Sequence, residues 1–230
     1  VEGRAAPRTA VHVAAEENHP HLGIDAAHVA VLIGERNRRE GVALAEAARS
    51  RGAAVTLVAA HLEVPAPAGV VVERVGTARE LEASLRAHAA SHDTIIMAAA
   101  VADFRPRAVA EEKIKKDASE GGLSLELERT PDIIAGLSEH RAPGQRIVGF
   151  AAETGDESGS VLDHARAKLA RKGCDLLVVN DVSGGAVFGS PDNEAVILEA
   201  DGSYVEVPHG SKGALAHAIW DRVTARWAAV

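Results

Sequence analysis

Along most of the chain, short apolar runs rich in Val, Ile and Thr alternate with longer stretches whose apolar residues recur every three to four positions. The first pattern suits a strand buried on both faces, the second a helix with one apolar stripe. Strands are therefore predicted at His28–Ile33, Ala54–Ala59, Val70–Val75, Thr94–Met97, Arg146–Phe150 and Asp175–Asn180, and helices at Glu40–Arg51, Ala78–Ala90, Asp132–Glu139 and Val161–Lys172. That alternation predicts an α/β fold, a Rossmann-like and mostly parallel sheet with helices on both faces. The first unit, HVAVLIG…GVALAEAARSRGAAVTLV, reads as strand, loop, helix, Gly52 stop and strand, one right-handed βαβ element. Antiparallel additions are predicted at Leu123–Leu127, where LSLEL alternates, and at Glu194–Glu199 and Ser203–Val207, a hairpin around Asp201-Gly202. Pro65-Ala66-Pro67-Ala68-Gly69 reads as a turn into the third strand, and Ser211–Trp227 as a closing amphipathic helix. Residues 1–27 lack clean periodicity and are expected to form a linker followed by a loose helix, which leaves 28–230 as one domain.

Composition narrows the function classes. With 47% hydrophobic residues over 230 positions the chain can bury a full core, and with 3% aromatics that core is mostly aliphatic. A formal charge of -8 and the scarcity of stacking side chains argue against nucleic acid as a partner. No apolar run approaches the roughly 20 residues of a membrane helix, and VEGRAAPRTA has no charged-then-apolar leader pattern. Cys174 is the sole cysteine, which excludes an internal disulfide and suits a reducing, cytoplasmic setting. It precedes a predicted buried strand, so a small core residue is expected there rather than a nucleophile. The chain does not open on Met, as expected of a piece of a longer protein. The eleven histidines lack the spacing and accompanying ligands of a metal site, so none is predicted. Hydrolase elbows, Walker loops and G-x-G-x-x-G are absent from the sequence.

Candidate chemistry concentrates at predicted strand ends, where parallel sheets bind ligands. TIIMAAAVADFRPRAVAEEKIKK, Thr94 to Lys116, runs from a β-branched strand into Ala98, Ala99 and Ala100, whose small side chains let a ligand approach the backbone. Asp103 and the lysine cluster Lys113, Lys115 and Lys116 follow; on composition alone the cluster is also what a solvated loop would show. Lys168 and Lys172, four apart in HARAKLARKG, share one helical face. They complement the helix dipole or converge on a polyphosphate, and spacing leaves both readings open. Pro131-Asp132 opens a helix whose N-terminus suits an anion. Phe150 and Asn180 close predicted strands, where core packing and a strand-to-turn junction explain them equally well.

Several longer motifs, in order, carry a resemblance. IIMAAAVADFRP, EEKIKK, TPDIIAGL, VGFAAETGD, ARAKLARKGCDLLVVNDVS and the closing GSK are similar to segments of the phosphopantothenate–cysteine ligase family, the nucleotide-activating ligases of coenzyme A biosynthesis. The resemblance implies a ligase that joins 4′-phosphopantothenate to cysteine through an acyl-CMP intermediate made from CTP with Mg²⁺. It implies nucleotide contacts at Met97, Ala98, Ala99, Asp103, Lys113, Pro131, Asp132, Ile133, Ile134, Phe150, Lys168 and Lys172. Lys113, on a flap, and Asn180 would be the catalytic pair, and Asp103 an acceptor for base or ribose. It further implies a homodimer and, in a bifunctional protein, a flavin-dependent decarboxylase domain before residue 1. One departure stands out. The family follows its first strand with GGTxExxDxVRxxxNxSSGxxG, whereas here only Glu35-Arg36-Asn37-Arg38-Arg39-Glu40 separates the strand from Gly41. A CTP-binding paralogue or variant without the acyl-transfer loop, acting on another carboxylate or inactive, is therefore a competing expectation. A nicotinamide oxidoreductase would need a glycine-rich first loop that ERNRRE does not supply.

Overall fold

The computed structural model describes residues 8–10, 27–34, 38–60, 62, 64–108, 112, 124–181 and 192–227. In chain order the elements are β1 (Arg8–Ala10), β2 (His28–Ile33), α1 (Arg38–Ser50), β3 (Ala54–Ala60), β4 (Val71–Val75), α2 (Ala78–Ala89), β5 (Thr94–Met97), β6 (Phe104–Pro106), β7 (Leu127–Arg129), α3 (Ile133–Glu139), β8 (Arg146–Glu153), α4 (Val161–Lys172), β9 (Leu176–Asp181), β10 (Asp192–Glu199), β11 (Tyr204–Ser211) and α5 (Lys212–Trp227). The main sheet has the order β1-β11-β10-β9-β8-β5-β2-β3-β4. From β4 to β9 all neighbours are parallel; counted along the chain these six strands stand 3-2-1-4-5-6, the doubly wound dinucleotide-binding order. β10 and β11 add an antiparallel hairpin at the β9 edge.

The strands form because their side chains are buried on both faces. Val29, Ala30, Val31, Leu32 and Ile33 alternate between two cores and all are fully buried. One core lies between the sheet and α1 with α5; Trp220 of α5 is buried there and its indole N–H donates to the Leu44 carbonyl at 3.0 Å. The other lies under α2, α3 and α4, with Leu81, Leu85, Ile133, Ile134, Leu137 and Leu169 inside. The expected α/β sheet with helices on both faces is thus what the chain forms.

The structure departs from the sequence expectation in four places. β8 runs to Glu153, three residues past Phe150, because Ala151, Ala152 and Glu153 continue the ladder against Val179, Asn180 and Asp181, whatever their lack of apolar bulk. The alternation in LSLEL does not mark the strand: residues 124–126 are irregular and β7 starts at Leu127, paired antiparallel with β6 in a separate two-stranded sheet. β6 itself, three residues containing Pro106, is too short to announce itself. Within the stretch expected to be a linker, Arg8–Ala10 pairs parallel with Tyr204–Glu206 of β11.

Candidate functional site

The strand order reverses between β2 and β5, and the carboxyl ends of strands at such a reversal are the usual ligand position in sheets of this kind. Small residues bring the chain ends that leave these two strands close together. The Ala98 amide donates to the Leu32 carbonyl at 3.0 Å, and a Cβ on Gly34 would lie 3.5 Å from Ala99 and Ala100. Gly41, in the first turns of α1, allows that helix to press on the end of β2. A Cβ there would sit 1.4 Å from Cγ2 of Ile33, an impossible separation. The ERNRRE segment hid this role, since Gly41 serves packing seven residues after Gly34 instead of completing a phosphate-loop spacing.

The structure places several of the expected residues at or near the carboxyl ends of the parallel strands. Met97 and Ala98 are buried at the end of β5, and Ala99 packs beside them. Asp103 is exposed, and its carbonyl accepts the Thr130 amide at 2.8 Å, so the β6–β7 arm returns the chain directly to Pro131 and Asp132. Asp132 caps α3, its carboxylate accepting the Ala135 amide at 3.2 Å. Ile133 and Ile134 are buried beneath, where Gly149 of β8 makes room for them: a Cβ on Gly149 would meet Ile134 at 3.1 Å. Asn180 stands beside Ala152 at the end of β9, and its Oδ1 is buried with no hydrogen-bond partner among the described residues. A buried amide oxygen of that kind is costly unless something else occupies it.

The two lysines of α4 both turn toward this end of the sheet. Ser160 and Asp163 form a capping box that starts the helix, and Gly173 closes it. Between them Lys168 forms an ion pair with Glu153, and Lys172 donates to Asp132 at 2.7 Å. Glu153 lies within VGFAAETGD, but neither pairing was visible in the sequence, because the partners lie on β8 and at the cap of α3. Burial pushes the Asp132 carboxyl up, but the Lys172 ammonium, the Ala135 amide and the charge of Arg171 together hold it below the ordinary carboxylate value.

Other expected residues fall elsewhere. Phe150 is half-buried against the α1/α5 core, on the opposite face of the sheet from α4 and its lysines. Lys113 lies outside the described residues, as does the segment 35–37. Cys174 is buried, and its burial is the main cause pushing the thiol up to about 11, so it stays protonated at neutral pH. Among the described residues no three His, Cys, Asp or Glu side chains gather as a metal-binding group, and no helix is long and apolar enough to cross a membrane.

A family model described as the DNA/pantothenate metabolism flavoprotein C-terminal domain matches residues 31–226. The coenzyme A biosynthesis bifunctional protein CoaBC of Mycobacterium tuberculosis (strain ATCC 25618 / H37Rv) is 49% identical over 199 residues, which cover 84% of this chain and 47% of that protein. CoaBC of Vibrio cholerae serotype O1 is 42% identical over 180 residues, 78% of this chain and 44% of that one. The chain thus spans about half the length of the curated relatives it matches. Of solved structures, the C-terminal domain of a CoaBC superposes with a TM-score of 0.72 at 27% identity, covering 90% of this chain and 98% of that one. A Cab2 mutant in complex with phosphopantothenate-cysteine superposes with a TM-score of 0.67 at 17% identity, over 88% and 86% of the two chains, a likeness of fold alone.

Proposed function

This chain belongs to the DNA/pantothenate metabolism flavoprotein C-terminal domain family, and from that premise we propose that it ligates 4′-phosphopantothenate to cysteine, with CTP as the activating nucleotide. The observation that carries this reading is that Lys168 and Lys172, on one face of α4, reach Glu153 at the carboxyl end of β8 and Asp132 at the cap of α3. The phosphopantothenate carboxylate attacks the α-phosphate of CTP, forming an acyl-CMP and releasing pyrophosphate. The cysteine amine then attacks the acyl carbon, CMP leaves, and the amide forms. Both steps need negative charge held in place as it shifts, and preorganised cations and backbone N–H groups do this best. Lys168 and Lys172 serve the phosphates, the small-residue turn Ala98–Ala99 admits the nucleotide, and Asp103 accepts from base or ribose.

Asn180 lends its buried amide to the reacting carboxylate, and Lys113 is the second catalytic residue. Mg²⁺ enters with the triphosphate; such ions keep waters and substrate phosphates as most of their ligands, so few protein carboxylates are required. The name of the Cab2 complex, phosphopantothenate-cysteine, fits the product of this reaction. In the full-length protein a decarboxylase domain precedes this one, in keeping with the bifunctional relatives. The domain pairs as a homodimer, for which Phe104, Leu125 and Leu127, all exposed on the β6–β7 arm, supply an apolar surface.

A second reading, CTP binding without acyl transfer, is favoured by the six residues that stand between Gly34 and Gly41 where the family has a long substrate loop. Pyrophosphate release measured with CTP, Mg²⁺ and 4′-phosphopantothenate, with and without cysteine, separates the two. Release that depends on the acid supports ligation. Nucleotide binding without release supports the second reading.

A further inference from the structure

His164, Lys168 and Lys172 recur at intervals of four along α4, so one helix face carries all three, about 6 Å apart along the axis. Each meets a carboxylate supplied by a different part of the chain. His164 lies 3.0 Å from Asp156 in the turn after β8, Lys168 pairs with Glu153 at the end of β8, and Lys172 reaches Asp132 at the cap of α3. The lysine pairs are the more enclosed: the Lys168 and Glu153 side chains are 29% and 16% exposed, those of Lys172 and Asp132 24% and 40%. Within such partly buried surroundings charges are screened much less than in open water. An arriving phosphate therefore feels Glu153 and Asp132 nearly as strongly as it feels the two ammonium groups. A face that must hold a polyphosphate is, without one, already neutralised by its own protein.

Resting on the nucleotide reading above, we propose that Glu153 and Asp132 are place-holding anions. They keep Lys168 and Lys172 held between the end of β8 and the cap of α3 when no nucleotide is bound, and give the lysines up to the phosphates when it arrives. They retake them as pyrophosphate leaves. Glu153 and Asp132 are thus positioning residues whose charge opposes binding. The result is a site that grips a triphosphate without trapping the pyrophosphate product. A purely structural ion pair predicts the contrary, because deleting one partner would leave the lysine misplaced and the nucleotide held less well.

The test is titration calorimetry of the full chain with CTP and, separately, with inorganic pyrophosphate, comparing Glu153→Gln and Asp132→Asn with the parent. Asn is itself a good helix cap, so the second variant preserves the start of α3. Both variants should bind both ligands about 3- to 5-fold tighter, the effect of removing one partly screened charge, with a steeper loss of affinity on adding salt. Glu82→Gln, which makes the same charge change at the Glu82–Arg86 pair within α2, should leave affinity as it was. If the parent binds and the two variants bind equally or more weakly, the place-holding role is wrong and the nucleotide site survives. If Glu82→Gln tightens binding as much as they do, the effect is net charge and the proposal falls. A parent that binds neither ligand overturns the nucleotide reading and this inference together.

Discussion

Lys172 shows how a single residue can be legible in type and illegible in role. Its four-residue spacing from Lys168 places both on one face, but the helix dipole accounts for such lysines equally well until Asp132 and Glu153 are seen opposite them. Replacing Lys168 or Lys172 with Ala should weaken CTP binding by about 1.5–3 kcal/mol, the range for hydrogen bonds to charged groups, with the far-ultraviolet circular dichroism unchanged. Parent-like affinity in both variants, read by calorimetry, would return the lysines to the dipole role.

At the amino ends of the strands His92 is a second case. Its Nδ1–H donates to the His88 carbonyl at 3.0 Å and its Nε2 lies 3.2 Å from the Thr56 hydroxyl. Burial chiefly pushes its pKa below the ordinary 6.5, the bond to His88 and the charge of Asp93 push it up, and the neighbouring His88 and His28 rings push it down again. A histidine depressed in the folded state is protonated more readily when unfolded, so stability should fall as pH drops below that ordinary value. Thermal melts between pH 7.5 and 5.5 should show this loss, and His92→Gln should reduce it. An unchanged slope in the variant would assign the acid sensitivity elsewhere.

At the scale of elements, periodicity located most helices and the parallel strands, since side-chain burial imposes a period of 3.6 or a continuous apolar run wherever an element is covered. Elements held by backbone pairing and cross-strand side-chain pairs escaped it. β6 and β7 are three residues each, and Phe104 and Leu127 on them stay exposed, so no burial pattern could form. The packing of α1 on β2 was likewise hidden, because it rests on what Gly41 lacks. Gly41→Ala would force Ile33 and the helix apart, and should destabilise the fold by about 1–3 kcal/mol or more, as overpacked cores do. Urea unfolding monitored through Trp220, buried between α1 and the sheet, measures this; a change below about 0.5 kcal/mol, the level of a neutral surface substitution, would mean the helix shifts freely.

For the whole molecule the β6–β7 arm bears on assembly. Phe104, Leu125 and Leu127 are 51%, 59% and 57% exposed, a concentration of apolar surface that a second copy would cover. Leu127→Glu should convert the proposed dimer to monomer in sedimentation equilibrium, and a parent that sediments as a monomer would refute the pairing itself. The sequence by itself determined the α/β class, the positions of the covered elements and, through motifs such as VADFRP, VGFAAET and NDVS, the family. These are properties of contiguous residues, set by local burial and backbone preference. Only the tertiary structure decided the strand order, the face on which Phe150 lies, and which carboxylate holds which lysine. Lys172 and Asp132 are 40 positions apart and meet because α3 and α4 pack side by side on one sheet. Such contacts depend on how the elements stack and close upon one another, and no stretch of sequence shorter than the whole sheet specifies them.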